Sequence, residues 1–300
     1  MSIFRRWFAQ CAPIAIMLAV SLAPVSTNAQ EQPEVTQVTP NVLVFATASG
    51  NVVASVGPDG ALLVGTPSAA STPAIEQILK QHTKSSMRYV VIFPENPNEP
   101  EGDAGWGRMG AFVAMQENAL RRIGGDQMGA SGSLPERLAK LDVGRPRIAF
   151  DHVLAFDLNG DAIHVVHQDS AGYSDADAVA HFHVAHLVYL GEVFPGDGYP
   201  RIDAAQGGTL KGLIAQLVWT DPSIRIVPAR GAVTDGSSVK AFVDMITAVR
   251  DRVQRMINAG KTEAQILAAH PTAEFDARWG HGRVSPDEFV RELYSALKKP

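Results

Sequence analysis

Residues 88–103 read Arg88-Tyr89-Val90-Val91-Ile92-Phe93-Pro94-Glu95-Asn96-Pro97-Asn98-Glu99-Pro100-Glu101-Gly102-Asp103. Residues 90–93 are apolar without interruption, and each is β-branched or aromatic, which predicts a buried central strand. The strand stops at Pro94, and ten polar or turn-forming residues follow. A loop that leaves the end of a core strand is where an α/β protein usually places its chemistry. This loop holds three prolines, two asparagines and four acids, but no His, Cys, Ser or Lys.

Outward from this strand the pattern alternates between short strands and helices. Upstream, residues 38–47 read as a strand. Residues 51–56 and 61–64 flank Gly57-Pro58-Asp59-Gly60, a hairpin signal. Ser71-Thr72-Pro73 opens a helix through His82, with Ile75, Ile78 and Leu79 on its buried face. Downstream, residues 111–115 predict a short strand and 117–123 a short helix. Residues 124–147, rich in Gly, Ser and Pro, predict a flap with one helical patch at 134–141. Residues 153–157 and 162–167 flank Leu158-Asn159-Gly160-Asp161, a second hairpin, and 178–183 with 187–190 make a third pair. A helix over 209–218 and a buried strand over 224–227 follow. Val239, Phe242, Val243, Ile246, Val249, Val253, Met256 and Ile257 fall at helical spacing, and Gly260 closes that helix. Thr262 with Gln265, and Ser285-Pro286 with Glu288, are capping boxes for two more helices.

The first residues are a targeting signal. Arg5 and Arg6 precede an apolar run, residues 11–24, that is short for a membrane span. Thr27-Asn28-Ala29 places small residues at the positions that signal peptidase reads, so residues 1–29 are a signal peptide cleaved after Ala29. The expected location is periplasmic or secreted. Cleavage removes Arg5 and Arg6 and makes the net charge two units more negative than −5. It also removes the sole cysteine, Cys11, so the mature chain has no disulfide, thiolate nucleophile or Cys metal ligand. Stability must come from a core, and a chain of this length buries roughly 70–75% of its unfolded surface. Mild acidity with scattered charge excludes nucleic acid as the expected partner. No later segment is apolar enough to span a membrane. The expected organisation is signal peptide 1–29, leader 30–37, a main domain over 38–235, and a helical C-terminal extension of that domain over 236–300.

The order of these stretches resembles the metallo-β-lactamase superfamily. The resemblance is carried by Asn51-Val52-Val53-Ala54-Ser55-Val56-Gly57-Pro58-Asp59-Gly60-Ala61-Leu62-Leu63-Val64, then Arg88-Tyr89-Val90-Val91, Phe150-Asp151 and Tyr173-Ser174-Asp175-Ala176-Asp177-Ala178. Gly191-Glu192-Val193-Phe194, Ile226-Val227-Pro228 and the tail from Pro271 to Gly280 complete it. It implies an α/β fold: a four-layer αβ/βα sandwich with the active site along the open edge between the sheets.

The family's members hydrolyse esters, amides, thioesters or phosphodiesters with one or two metals, usually zinc. The protein ligands leave an open position where bound water becomes hydroxide. The family's His-x-His-x-Asp-His frame falls here on Pro94, Asn96, Asn98 and Glu99. Proline has no donor atom, and neutral asparagine is a poor zinc ligand. By the same resemblance, Tyr173 stands for a histidine, Glu192 for the metal-bridging Asp and Arg230 for another histidine. Gly65 stands for a supporting acid. Arg stays protonated and repels a metal. No metal ligand and no catalytic residue is carried over, and the expected cofactor is none, the family's zinc being lost.

Three readings of the altered site follow. Arg230 and Glu192 form an ion pair that fills it, with Asn96, Asn98 and Tyr173 closing hydrogen bonds around the pair. Alternatively Arg230 clamps a small anionic ligand oriented by Tyr173 and the asparagines. A hard cation held by Glu95, Glu99, Glu192 and asparagine oxygens is the third, and Arg230 opposes it. The candidate ligand-binding residues are therefore Asn96, Asn98, Glu99, Tyr173, Glu192 and Arg230. The function expected is an exported, non-catalytic protein of this fold that binds a small ligand or a protein partner. The alternative is a hydrolase of the superfamily with a non-standard or metal-free site.

Other candidates compete with simpler readings. His181 and His183 alternate on a predicted strand and share a face, with His186 in the next turn. His164 and His167 fall on opposite faces of the preceding hairpin. A Zn or Cu site from His181, His183 and a neighbour stands against a solvated outer sheet face, which is the ordinary outcome. No Gly-x-Ser-x-Gly elbow is present, and Gly129-Ala130-Ser131-Gly132-Ser133 follows no predicted strand. Ala205-Gln206-Gly207-Gly208-Thr209 opens a helix and either contacts an anion or simply starts that helix. Asp175 and Asp177 read as structural, tying their loop to the next strand. Trp106, Met109, Phe112 and Met115 line a rim beside the site or belong to the core.

Overall fold

The computed structural model describes residues 32–65, 67–93, 105–123, 146–218 and 220–298. Two sheets form its middle. The first has β1 (Glu34–Thr39), β2 (Val42–Ala46), β3 (Asn51–Ser55), β4 (Ala61–Val64), β5 (Met87–Ile92), β6 (Phe112–Gln116) and β7 (Ile148–Phe150) side by side in chain order. Pairing is antiparallel from β1 to β4 and parallel from β4 to β7. The second runs β13 (Thr234–Asp235), β12 (Arg225–Pro228), β11 (Leu187–Gly191), β10 (Ala178–Phe182), β9 (Asp161–His167) and β8 (Val153–Leu158). There β8 to β11 are antiparallel, and β12 lies parallel to β11.

The side chains of β5 account for its position. Val91 and Phe93 point into a core shared by both sheets, with Val53, Leu62, Ile163, Ala180, Tyr189 and Val227. Val90 and Ile92 point the other way, against Ile75 and Leu79 of α1 (Thr72–His82) and against Trp106 and Met115. A strand covered on both faces has no polar positions to offer, hence the unbroken apolar run. The outer face of the second sheet is covered by α3 (Leu210–Leu217) and by the C-terminal helices α4 (Gly236–Asn258), α5 (Glu263–Leu267), α6 (Asp276–Trp279) and α7 (Pro286–Lys298). Phe242, Trp279 and Phe289 from these helices share one core with Val179, Val188 and Ile226. The result is the αβ/βα sandwich with a helical extension.

Several local readings are sharpened. Residues 38–47 form two strands, because Pro40 and Asn41 make the turn that reverses β1 into β2, with Thr39 opposite Val42. Proline lacks the N–H that a continuous strand would need there. The first strand starts at Glu34, inside the segment read as leader. The helix predicted over 117–123 is α2 (Glu117–Ile123). Both capping boxes form: Thr262 with Gln265, and Ser285 with Glu288. Residues 1–29, read as a signal peptide, and most of the flap predicted over 124–147 lie outside the described residues.

Trp106 is fully buried and Met115 nearly so, both in the core between the first sheet and α1 rather than on a rim, and Met109 packs against that core. Phe112 is half exposed and opposes Tyr89. It stands at the start of β6, the opposite end from the loop after β5. No described helix is long and apolar enough to cross a membrane.

Candidate functional site

The ends of β4, β5, β11 and β12 converge on one edge of the sandwich. Just past β11 stands Glu192, and just past β12 stands Arg230. Their loops are laced together: Ala229 N–H donates to Phe194 C=O at 2.9 Å and Arg230 N–H to Pro195 C=O at 3.1 Å. This lacing brings the Arg230 guanidinium onto the Glu192 carboxylate as a charge-assisted pair. The side chains are only 12% and 15% exposed, so the pair is largely shielded from water and from salt screening.

Tyr173 is buried beside it. Phe93, Tyr173, Asp177, Leu190 and Glu192 border a cavity of about 20 Å³, the room of a single water molecule. Three of the six sequence-derived candidates, Tyr173, Glu192 and Arg230, are therefore gathered at one place. Asn96, Asn98 and Glu99, together with Pro94 and Glu95, lie outside the described residues.

Gly65 has its own physical reason. Its φ is +111°, and a Cβ there would stand 3.1 Å from the Tyr189 hydroxyl and 3.0 Å from the Asn51 carbonyl oxygen. The Tyr189 hydroxyl donates to that same carbonyl at 3.2 Å, and its ring packs 5.4 Å from Phe93. An acid at position 65 would need a backbone conformation that L residues rarely adopt and space that Tyr189 already fills.

The loop before β10 is built around Asp177. Its carboxylate accepts from Gly172 N–H at 3.0 Å, from Ser174 N–H at 2.8 Å and from the Ser174 hydroxyl at 2.8 Å. Burial outweighs these bonds and pushes its pKa up to about 6. Asp175, in contrast, is held by Arg122 of α2, and its carbonyl accepts from the Asn118 amide at 2.7 Å. Both aspartates are thus structural ties. The Arg122–Asp175 pair joins residues far apart in the chain, and no local pattern announces it. The turn over 204–209 is also structural. Gly207, Gly208 and Thr209 spend their N–H groups on Ala204, Asp203, Ala171 and Gly172 carbonyls, leaving an ordinary helix start for α3.

No family model matches the chain, and no curated protein matches it. Solved structures do. A metallo-β-lactamase from Pontibacter korlensis aligns at 16% identity with a TM-score of 0.56, over 72% of this chain and 99% of its own. The stereoselective inverting sec-alkylsulfatase from Pseudomonas sp. aligns at 15% identity with a TM-score of 0.63, over 88% of this chain. The chain spans 50% of the length of that alkylsulfatase. The fold is that of the metallo-β-lactamases.

Among the residues described at the cleft, the Glu192 carboxylate is taken up by the Arg230 guanidinium, a permanent cation that does not suit a neighbouring zinc ion. Among the described residues no group of three or more His, Cys, Asp or Glu is arranged to hold a metal ion. What the arrangement does supply is a shielded cation paired with an anion, with Tyr173 bordering the same small cavity as Glu192.

Proposed function

We propose that the chain is an exported metallo-β-lactamase-fold protein without hydrolytic activity, in which an ion pair has taken the place of the metal centre. The pairing of Arg230 with Glu192 carries this reading. A buried charge is retained when it is paired, and this pair needs no metal to neutralise it. Binding rather than turnover is then the role of the cleft. A small anion that competes with Glu192 for the guanidinium is the ligand class that fits, and a protein partner presenting a carboxylate would use the same chemistry. The apolar run before Thr27-Asn28-Ala29 supports export.

Two measurements test the proposal. Elemental analysis of the purified mature protein should find no stoichiometric zinc in the cleft; one or two zinc per chain that Glu192→Gln removes would refute it. A thermal-shift screen with carboxylate, phosphate and sulfate metabolites should find a stabilising anion. A ligand at a hundred times its dissociation constant adds about 2.7 kcal/mol, and Arg230→Gln should abolish the shift.

One observation favours the alternative of a metal-free hydrolase. Asp177 borders the same small cavity and has its pKa pushed up to about 6, which suits a general acid near neutral pH. Assays with β-lactams and secondary alkyl sulfates, the substrate classes suggested by the names of the similar structures, separate the two. Turnover lost in Asp177→Asn or Glu192→Gln would establish the hydrolase.

A further inference from the structure

On the outer face of the second sheet, away from the cleft, three imidazoles come together. Register puts His164 of β9 directly opposite His181 of β10, and His183 follows two residues later on the same face. His183 Nε2 lies 3.1 Å from His164 Nδ1. The two rings meet edge to face at 4.7 Å between centroids, and His181 stacks on His183 at 6.1 Å. The sequence offered His181 and His183 as partners. The structure adds His164 and makes it the nearer one.

We infer that His164 Nδ1 and His183 Nε2 form a surface site for a divalent transition-metal ion, copper(II) above all. The argument is geometric. Two imidazole nitrogens each about 2.0 Å from one ion and separated as these are would subtend roughly 100° at the metal. That angle lies between square-planar and tetrahedral coordination, and copper(II) heads the affinity order for nitrogen donors. The two nitrogens lie across a hydrogen bond. Exchanging it for a metal requires a tautomer shift in the donor ring and a rotation of both side chains that turns their lone pairs towards an ion beside the line joining the nitrogens.

The strand end is held in place. His183 N–H donates to Ala162 C=O at 3.2 Å, and the Asp161 carboxylate accepts from Val184 N–H at 2.8 Å and Ala185 N–H at 3.1 Å. His183 is exposed, so an ion reaches the site from solvent. His181 closes the inner side. No third protein ligand is poised among the described residues, so water fills the remaining positions.

The test uses tag-free mature protein titrated with copper sulfate in the presence of glycine as a weak competitor. Calorimetry should give one saturable equivalent, and the electron paramagnetic resonance spectrum should carry hyperfine structure from two imidazole nitrogens. His164→Gln and His183→Gln should each weaken binding by roughly tenfold or more, while His152→Gln and His270→Gln should leave it unchanged. His183 is exposed, so its variant folds whatever happens at His164. Copper binding by His183→Gln equal to that of the wild type would overturn the inference, as would the absence of a saturable equivalent.

Discussion

Arg230 and Glu192 are each other's solvent. Removing one partner strands the other's charge in a shielded place, and breaking such a pair costs about 3–5 kcal/mol when fully buried. With 12% and 15% exposure and some screening by water, Arg230→Ala or Glu192→Ala should each cost about 2–4 kcal/mol in urea unfolding. Replacing both together, Arg230→Met with Glu192→Leu, should cost less than the sum, and a double-mutant cycle reads the difference. His181 has a distinct pH signature. Its folded pKa of about 4 lies below the ordinary imidazole value of 6.5, so the unfolded chain takes up its proton first. Its contribution to stability is present above pH 6.5 and is lost as pH falls towards 4. Asp177 works in the opposite sense over nearly the same window, since its folded pKa is raised. Unfolding of wild type and His181→Gln compared at pH 7 and pH 4.5 should show the wild type losing more stability on acidification. Loss of equal size in both would refute the assignment. The residues flanking strands were legible in sequence, because each anchor pattern carries its neighbours with it: Glu192 follows Gly191, and Arg230 follows Pro228 by two. Arg122 was not, because its partner Asp175 lies 53 residues away and nothing local ties them.

Among the elements, β5 declared itself most clearly, since burial on both faces leaves no room for a polar residue. The strand over 38–47 did not, because its apolar content hides a reversal that depends on Pro40. Trp106 was ambiguous for a similar reason: an apolar residue near a functional loop suits a rim or a core, and only packing against Ile75 and Ile92 decides. The three-histidine group was half legible, as alternation gives His181 and His183, but inter-strand register alone brings in His164. Elements of the C-terminal extension act on the cleft indirectly. Glu192 begins the loop that carries Phe194 and Tyr199. Phe194 packs on Phe242, while Tyr199 stacks on Phe289 at 5.0 Å and donates to the Asp276 carboxylate at 2.7 Å. Burial and the Asp276 carboxylate both push the pKa of the Tyr199 phenol up, so it stays a donor. In the same loop Gly198 approaches Gly282 so closely that a Cβ on it would stand 2.6 Å from the Gly282 Cα. Phe289→Ala should therefore cost about 3–5 kcal/mol and also loosen the Glu192 loop. Amide hydrogen exchange should rise at Phe194 and Arg230 in that variant, and protection unchanged at both would disprove the coupling.

For the molecule as a whole, two buried asparagines join the sheets at opposite ends. Asn51 donates from its amide to the Pro228 carbonyl at 3.0 Å and the Gly231 carbonyl at 2.9 Å, so β3 holds the strand that carries Arg230. At the other end Asn159, with φ of +55°, donates to the Ser55 hydroxyl at 3.1 Å and the Gly60 carbonyl at 2.9 Å. Its side-chain oxygen accepts from Asp59 N–H at 3.1 Å, locking the two hairpin turns together. Asn159→Ala would leave those groups unsatisfied and keep the strained backbone, so a loss of about 2–4 kcal/mol is expected in thermal or urea unfolding. Asn159→Gly should lose less, since it relieves the strain. The covering of the second sheet by α4 to α7 has a further consequence for synthesis. Strands that end at Asp235 are buried by Phe289 and Leu293, which leave the ribosome some fifty residues later. At about 5–20 residues per second the apolar face of that sheet waits several seconds without its cover, and a chain held unfolded for export waits longer. A chaperone that holds such chains should therefore raise the yield of folded protein.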